Sequence, residues 1–158
     1  MNPVSMQNVN SGPSAQPTTV LSNGRFEGIS APMEAVEKLL QEELRSKSWF
    51  VDELLTYVAG MGGKRMRPAL VLLAAQATGK VTDDHIKIAA VVEMIHIATL
   101  VHDDILDGAE TRRHRQTVNR RWDNQSSVLL GDYLFTHAFY LASTLPVSYT
   151  HLTLPTKA

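Results

Sequence analysis

Apolar residues recur every three or four positions along most of the chain, which is the spacing of one buried face of an α-helix. The first such stretch follows Ser30, where Met33, Val36 and Leu40 are three and four positions apart. Ser30 can cap this helix, and Pro32 fits its first turn because a proline needs no N–H partner there. We predict that order begins near Ser30.

The same spacing predicts four further helices, separated by short breaks. They cover about 50–59, 68–78, 83–107 and 126–144. Pro68 can open the second of these helices and Gly79 can end it, whereas Thr82 or Asp83 can cap the next one. Residues 108–124 have the composition of a loop, and no stretch alternates with the period of two that is typical of a strand. The chain is therefore predicted to be all-α.

The two ends of the chain differ from this pattern. Residues 1–30 are rich in Asn, Ser, Pro, Gly and Thr, and such a segment buries too little apolar area to offset the entropy of ordering it. We predict a disordered tail there. The stretch "LPVSYTHLTLPTKA" at 145–158 has two prolines and no helical periodicity. We expect 146–158 to be an artefactual tail, which leaves 31–145 as the folded part.

Composition narrows the class of protein. Hydrophobic residues make up 44% and charged residues 20% of the chain, as in ordinary globular domains. The net charge of −1 gives no overall attraction for nucleic acid or anionic lipid. The longest apolar run, 88–101, carries Glu93 and His96 and is too short and too polar to span a bilayer. With no cysteine and no signal peptide, we expect a cytoplasmic protein without disulfides.

An acidic cluster, "HDDILD" at 102–107, ends the longest predicted helix. Asp103 and Asp107 are one turn apart, so their carboxylates lie about 6 Å apart on one face, with Asp104 to the side. Two such carboxylates suit Mg²⁺, which takes one or two carboxylates together with waters and substrate phosphates. A solvated helix end is the alternative interpretation. The apolar residues before the cluster favour the metal site, because they place it at the mouth of a buried region.

Two polar residues precede the cluster on the same helical face. Thr99 lies about 6 Å and His96 about 10 Å before Asp103 along the helix axis. A single histidine on an apolar helix is more often a core residue than a ligand. Both interpretations of His96 stay open on this pattern alone.

A basic turn, "GGKRMRP" at 62–68, carries Lys64, Arg65 and Arg67. Its glycines let the backbone approach an anion, the following helix start offers unpaired N–H groups, and arginine matches phosphate geometry. A basic turn without a ligand is the alternative. A second basic pair, Arg112 and Arg113, follows the acidic cluster. Together these groups predict two anionic substrates, one held through metal and one held by direct ion pairs.

Four motifs resemble those of the trans-prenyltransferases, also called polyprenyl diphosphate synthases. They are "GGKRMRP", "VVEMIHIATLVHDDILD", "ETRR" and "LLGDYLF", and the resemblance covers about 31–144. It implies an all-α, isoprenoid-synthase-type helical bundle around a central cavity, truncated here to roughly its first half, and usually a homodimer. It also implies the reaction: an allylic diphosphate ionises, isopentenyl diphosphate attacks the carbocation, and a proton is lost.

The resemblance implies a role for each matching residue. Asp103 and Asp107 correspond to the Mg²⁺ ligands of the first aspartate-rich motif, with Asp104 in support, and Arg112 corresponds to the partner of the allylic diphosphate. The isopentenyl diphosphate site corresponds to four residues: Lys64, Arg67, His96 and Arg113.

Two departures from the family pattern matter. His114 and Arg115 follow the arginine pair, where the family usually has glycine. The second aspartate-rich motif is missing, and with it the ligands of a further metal ion. We therefore expect the chain of 158 residues to be catalytically inactive and poorly folded by itself.

Product length is predicted from the residues before the aspartates. If a diphosphate sits at Asp103, the growing chain runs back towards Ala98 and Thr99, where a large aromatic residue would block it. Both residues are small, so we expect a product of C20 or longer in the intact enzyme. Ala98→Tyr would then shorten the product.

Two other functions compete with prenyl transfer. The "HD" pair at 102–103 could belong to an HD-type metal phosphohydrolase, with His85 and Asp132 as further ligands, but that chemistry does not use the basic turn. A non-catalytic prenyltransferase subunit would use the helices for pairing. Such subunits tend to lose the aspartates, and all three are present here.

Overall fold

A computed structural model of the chain describes residues 27–146. Most of the tail predicted for 1–30, and all but the first residue of the tail predicted for 146–158, lie outside the described residues. Residues 27–30 are described: Glu27–Ile29 forms a 3₁₀ turn that leads directly into the first helix. No described helix has the length and hydropathy needed to cross a membrane.

The described residues form six α-helices and one short hairpin. The helices are α1 (Ser30–Glu43), α2 (Trp49–Ala59), α3 (Met66–Thr78), α4 (Asp83–Leu106), α5 (Val118–Arg121) and α6 (Asn124–Ser143). The hairpin consists of β1 (Thr111–Arg112) and β2 (Arg115–Gln116). The prediction of an all-α chain is confirmed, and the five predicted helices are present. The predicted loop 108–124 is partly ordered, since it holds the hairpin and α5.

Helix starts follow local capping chemistry. The N-cap of α1 is Ile29, so Ser30 is its first helical residue and not the predicted cap. At the N-cap of α4, the Thr82 backbone N–H donates to His85 Nδ1 at 3.1 Å, which gives a free donor of the helix start a partner. Asp123 caps α6, where its carboxylate accepts from the backbone N–H of Ser126 at 2.6 Å.

The longest helix, α4, runs through the centre of the described structure and packs against α1, α3 and α6. Each of the long helices gives the core a fully buried apolar side chain: Leu40, Leu55, Leu72, Met94 and Leu134. At Gly131 the His102 ring lies against the backbone of α6, where it occupies the space that a side chain would need. This packing buries one side of α4 and leaves another side facing the loops around residues 60–65 and 111–116.

The hairpin has an unusual turn. Arg112 pairs with Arg115, so only Arg113 and His114 connect the strands, and both have left-handed backbones with φ of 51° and 63°. Two positive φ values are typical of a type I′ turn, which usually contains Asn-Gly. The sequence lacks that signal, which is why a plain loop was predicted.

Contacts with α2 hold the hairpin in place. Arg115 Nη1 donates to the Gly60 carbonyl at 2.7 Å, and the Tyr57 hydroxyl donates to the Gln116 carbonyl at 2.8 Å. The Arg115 guanidinium also lies 4.7 Å from the centre of the Tyr57 ring, within the range of a cation–π contact. The hairpin is therefore joined to the end of α2, where the basic turn begins.

Candidate functional site

An open cleft lies between the basic turn, the hairpin and α4. It has a volume of about 520 Å³, and its lining includes Lys64, Arg67, His96 and Arg113. These four residues are the ones that the resemblance assigned to isopentenyl diphosphate. Three chain segments supply them, so their convergence is a property of the tertiary structure.

The three basic residues of the cleft are available to a ligand. Lys64, Arg67 and Arg113 are exposed, and among the described residues none of them forms a salt bridge with a carboxylate. Arg113 reaches over the basic turn, where its Nη1 would lie 3.1 Å from a Cβ atom added at Gly63. The absence of a side chain at Gly63 thus gives the Arg113 guanidinium room beside Lys64.

Arg65 has a different position from its basic neighbours. Its side chain is only 11% exposed and points into the protein. Nε lies 2.9 Å and Nη2 3.1 Å from the carboxylate of Glu37 in α1, and Nη1 lies 2.9 Å from Oε1 of Glu93 in α4. Burial by itself lowers the pKa of Arg65, but the hydrogen bonds that it donates to Glu37 and Glu93, and their negative charges, raise the pKa overall.

Glu93 belongs to the cleft although the sequence analysis did not identify it. Its side chain is 6% exposed, and it lines the cleft below the basic residues. The sequence did contain a signal for Glu93, because a carboxylate inside an apolar helix is rarely buried without a charged partner. The sequence did not show which arginine that partner would be.

His96 is kept neutral by its surroundings. Partial burial lowers its pKa from the usual 6.5, and the positive charge of Arg67 lowers it further, while Glu93 acts in the opposite direction. The imidazole therefore carries no charge at neutral pH, although it lies among cations. A neutral imidazole can donate one hydrogen bond to an anion.

The three aspartates do not form one cluster. Asp103 and Asp107 are exposed at the end of α4, whereas Asp104 is buried. Asp104 Oδ1 accepts from Arg112, with Nε at 2.8 Å and Nη2 at 2.7 Å. The hydrogen bond with Asp104 is the main cause that raises the pKa of Arg112. Asp104 is thus occupied by Arg112, and its predicted support of the metal ligands remains a prediction.

Since Asp104 is paired with Arg112, Asp103 and Asp107 are the two carboxylates of this cluster that could bind a metal ion. No group of three or more possible metal ligands occurs among residues 27–146. Asp103 and Asp107 nevertheless fit Mg²⁺, which is commonly held by one or two carboxylates and completed by waters and phosphate oxygens. A small cavity of about 30 Å³, whose lining includes His96, Asp104 and Arg112, lies between this acidic end of α4 and the basic cleft. Asp103 and Asp107 line neither the cleft nor this cavity, but their negative charges act on Arg112, which lines the cavity.

The two residues predicted to limit product length lie in different environments. Thr99 is half-buried, and its hydroxyl donates to the His96 carbonyl at 2.7 Å. Ala98 is fully buried in the core, one helical turn before His102, whose ring lies against α6. Their role in product length remains a prediction.

The geometry does not support a metal-binding HD pair. His85 lies at the start of α4 and His102 near its end, about 25 Å apart along the axis. His85 is engaged in the cap with Thr82, while His102 Nε2 lies 3.2 Å from the Val128 carbonyl and 3.7 Å from Asp132. Ligands of one metal ion cannot be this far apart.

Comparisons with known proteins agree with these observations. Residues 49–156 match the family described as Polyprenyl synthetase. The chain is 41% identical over 113 residues to octaprenyl diphosphate synthase of Escherichia coli (strain K12), covering 72% of this chain and 35% of that protein. It is 44% identical over 114 residues to all-trans-nonaprenyl-diphosphate synthase (geranyl-diphosphate specific) of Rhodobacter capsulatus, with the same coverage of 72% and 35%. The chain thus spans about a third of the length of these relatives.

Solved structures give the same result. A decaprenyl diphosphate synthase from Rhodobacter capsulatus superposes with a TM-score of 0.70 at 43% identity, over 74% of this chain and 36% of that one. A polyprenyl synthase from Caulobacter crescentus CB15, complexed with calcium and isoprenyl diphosphate, superposes with a TM-score of 0.71 at 34% identity, over 84% and 39%. The expected fold, part of an isoprenoid-synthase-type bundle, is confirmed.

Proposed function

This chain belongs to the polyprenyl synthetase family, and we propose that it serves the condensation of isopentenyl diphosphate with an allylic diphosphate to form a longer trans-polyprenyl diphosphate. One observation carries the proposal. Lys64, Arg67, His96 and Arg113 converge on one cleft, and the exposed carboxylates of Asp103 and Asp107 lie close enough to Arg112, in the neighbouring small cavity, to raise its pKa. The chain thus has two kinds of group that can bind a diphosphate: fixed cations, and carboxylates that can hold a metal ion.

The basic cleft suits the diphosphate that stays intact. Lys64, Arg67 and Arg113 bind its oxygens directly, since fixed cations are sufficient for a group that does not leave. Neutral His96 donates a hydrogen bond from one ring nitrogen. The three cations therefore orient isopentenyl diphosphate without promoting its ionisation.

The acidic end of α4 suits the diphosphate that leaves. Asp103 and Asp107 would hold Mg²⁺, which when bound neutralises charge on a leaving diphosphate. Asp104 engages Nε and Nη2 of Arg112, so Nη1 is the part of this guanidinium that can reach a diphosphate oxygen. Asp104 thereby orients Arg112, which adds to the predicted supporting role of this aspartate.

We further propose a product of C20 or longer. The relatives named above are octaprenyl and nonaprenyl synthases, which make long products. The small side chains of Ala98 and Thr99 support the same expectation for this chain. A homodimeric enzyme in the cytoplasm completes the proposal. The exposed apolar side chains of Leu129, Phe139 and Tyr140 on α6 support an interface with another surface.

Titration of the chain with isopentenyl diphosphate tests the cleft. We expect binding without Mg²⁺, because the basic cleft needs no metal, and we expect Lys64→Ala with Arg67→Ala to weaken it about a hundredfold or more, as two charge-assisted contacts are lost. Asp103→Asn with Asp107→Asn should leave this binding unchanged and should remove the extra binding of an allylic diphosphate seen with Mg²⁺. Equal effects of both variant pairs on metal-free binding would contradict the proposal.

A further inference from the structure

Arg65 stands apart from the substrate contacts proposed above. It lies between the exposed residues Lys64 and Arg67, yet its own side chain is turned inwards. Its guanidinium does not line the cleft as a free cation, since both of its edges are occupied by carboxylates. A role in direct diphosphate binding is therefore unsuited to Arg65.

The inward turn of Arg65 has a backbone cause. Its φ of 50° and ψ of 34° place it in the left-handed region, at the N-cap of α3. A non-glycine residue there is less stable than in the right-handed region. In this conformation Arg65 directs its guanidinium to Glu37 and Glu93 at the wall of the cleft, while Lys64 and Arg67 remain exposed.

The two carboxylates that hold Arg65 come from different helices. Glu37 belongs to α1 and Glu93 to α4, and both lie 28 positions from Arg65 in the sequence. The guanidinium thus ties the basic turn to two helices at once. A planar guanidinium can bind both carboxylates, whereas the compact ammonium of a lysine cannot span them in the same way.

We propose that Arg65 is a positioning residue: its ion pairs with Glu37 and Glu93 fix the turn that directs Lys64 and Arg67 into the diphosphate cleft. The inference rests on the proposed function of that cleft. Glu93 connects Arg65 to the cleft directly, because it accepts a hydrogen bond from Arg65 and also lines the cleft. Loss of the ion pairs would free the turn and move both cations away from their common ligand.

The test measures the affinity of the chain for inorganic pyrophosphate, without Mg²⁺, by calorimetry. Arg65→Gly is the informative variant, because it removes the guanidinium with the rest of the side chain while glycine adopts the left-handed conformation without strain. We expect its affinity to fall about tenfold or more, as misplacement of binding groups by about 1 Å has effects of this size. Arg65→Lys should bind more tightly than Arg65→Gly, since it keeps one of the ion pairs.

A matched control comes from another ion pair. Arg45 contacts Asp52 at 2.8 Å between α1 and α2 and does not line the cleft, so Arg45→Met should leave the affinity unchanged. Glu37→Gln is a second variant that weakens the hold on Arg65 from outside the cleft. It provides the same test if circular dichroism shows that Arg65→Gly has lost helix, and it should lower the affinity several-fold.

A double-mutant cycle separates positioning from general stabilisation. If Arg65 acts through its neighbours, Arg65→Gly should have an effect at least threefold smaller when Arg67→Ala is already present. An undiminished effect in that background, or no effect of Arg65→Gly and Glu37→Gln in either background, would overturn the inference. If the unaltered chain is helical by circular dichroism and still does not bind pyrophosphate, the proposed function fails as well, which distinguishes that outcome from the failure of the inference alone.

Discussion

At the scale of single residues, His96 shows how one environment sets both charge and function. Burial and Arg67 lower its pKa, so the free cleft holds a neutral imidazole at neutral pH. Between the lowered pKa and the usual 6.5, the unfolded chain binds the proton more readily than the folded chain does. The contribution of His96 to stability is therefore fully present above about pH 6.5 and is lost as the pH falls through its folded pKa.

A bound diphosphate should reverse this shift, because an anion favours the charged imidazole. We expect the affinity for pyrophosphate to rise about three- to tenfold more in the unaltered chain than in His96→Asn as the pH is lowered from about 8 to about 6. Calorimetry at several pH values checks this difference. Pyrophosphate takes up protons itself, and the comparison with His96→Asn removes that contribution. Parallel pH profiles would show that His96 does not sense the anion.

Gly131 lies where the neighbouring helix leaves no room for a side chain. A Cβ atom at this position would overlap the His102 ring, so the ring can lie against α6 here only because residue 131 has no side chain. Alanine would favour the helix by about 1 kcal/mol over glycine, but the overlap requires the two helices to move apart. We expect Gly131→Ala to lower the free energy of unfolding by about 1–3 kcal/mol.

Urea denaturation measures the effect of Gly131→Ala, and the ring can be tested as its cause. In a His102→Ala background the added methyl group meets no ring, so Gly131→Ala should then be neutral or stabilising. A loss of stability that persists in this background would assign the effect to another contact.

At the scale of elements, the hairpin is the least regular part of the described chain. Arg113 and His114 have left-handed backbones without being glycine, and each such residue raises the free energy by about 1–2 kcal/mol. The hairpin is kept by its anchors on α2, the hydrogen bonds of Arg115 and Gln116 with Gly60 and Tyr57. Strain in the turn is thus offset by contacts that place Arg113 at the cleft.

We expect His114→Gly to stabilise the chain by up to about 1 kcal/mol, because glycine adopts a φ of 63° without the steric strain, although it loses more entropy on folding. Urea denaturation is the measurement. Gln116→Gly is the matched control, since residue 116 lies in β2, where glycine is destabilising. Equal losses of stability in both variants would contradict the strain at His114.

At the scale of the whole molecule, the described helices leave large apolar side chains uncovered. They lie mainly on α3 and α6 and include Leu70, Leu73, Leu129, Phe139 and Tyr140. Where such side chains form a contiguous patch, that patch usually meets another protein surface. The chain spans about a third of the length of the relatives it matches. A protein surface that covered these side chains would extend the apolar core.

We expect the chain of 158 residues to produce no elongated product by itself, because it spans only about a third of the length of the relatives it matches and its cleft is open. Incubation with Mg²⁺, labelled isopentenyl diphosphate and an allylic primer checks this. Circular dichroism of the same sample reports whether the chain is folded, which separates inactivity from unfolding. Efficient elongation would contradict the expectation.

Local patterns were sufficient for the elements. Hydrophobic spacing predicted a helix over about 83–107, and α4 covers Asp83–Leu106, because periodicity and capping depend on residues within a few positions of one another. The hairpin was missed, since Arg113 and His114 carry no turn signal and are held by contacts with α2. The predicted N-cap at Ser30 was wrong by one residue, a difference that local propensity does not resolve.

The sequence by itself determined the helices, the kinds of charge in the candidate site and the family that the chain resembles, because each of these depends on residue types at short, fixed spacings. The tertiary structure alone decided which charges are free for a ligand. Arg65 and Asp104 look like their neighbours in the sequence, yet Glu37, Glu93 and Arg112 neutralise them. Such pairing depends on which helices pack together, since a charge is buried only where folding brings it an opposite partner.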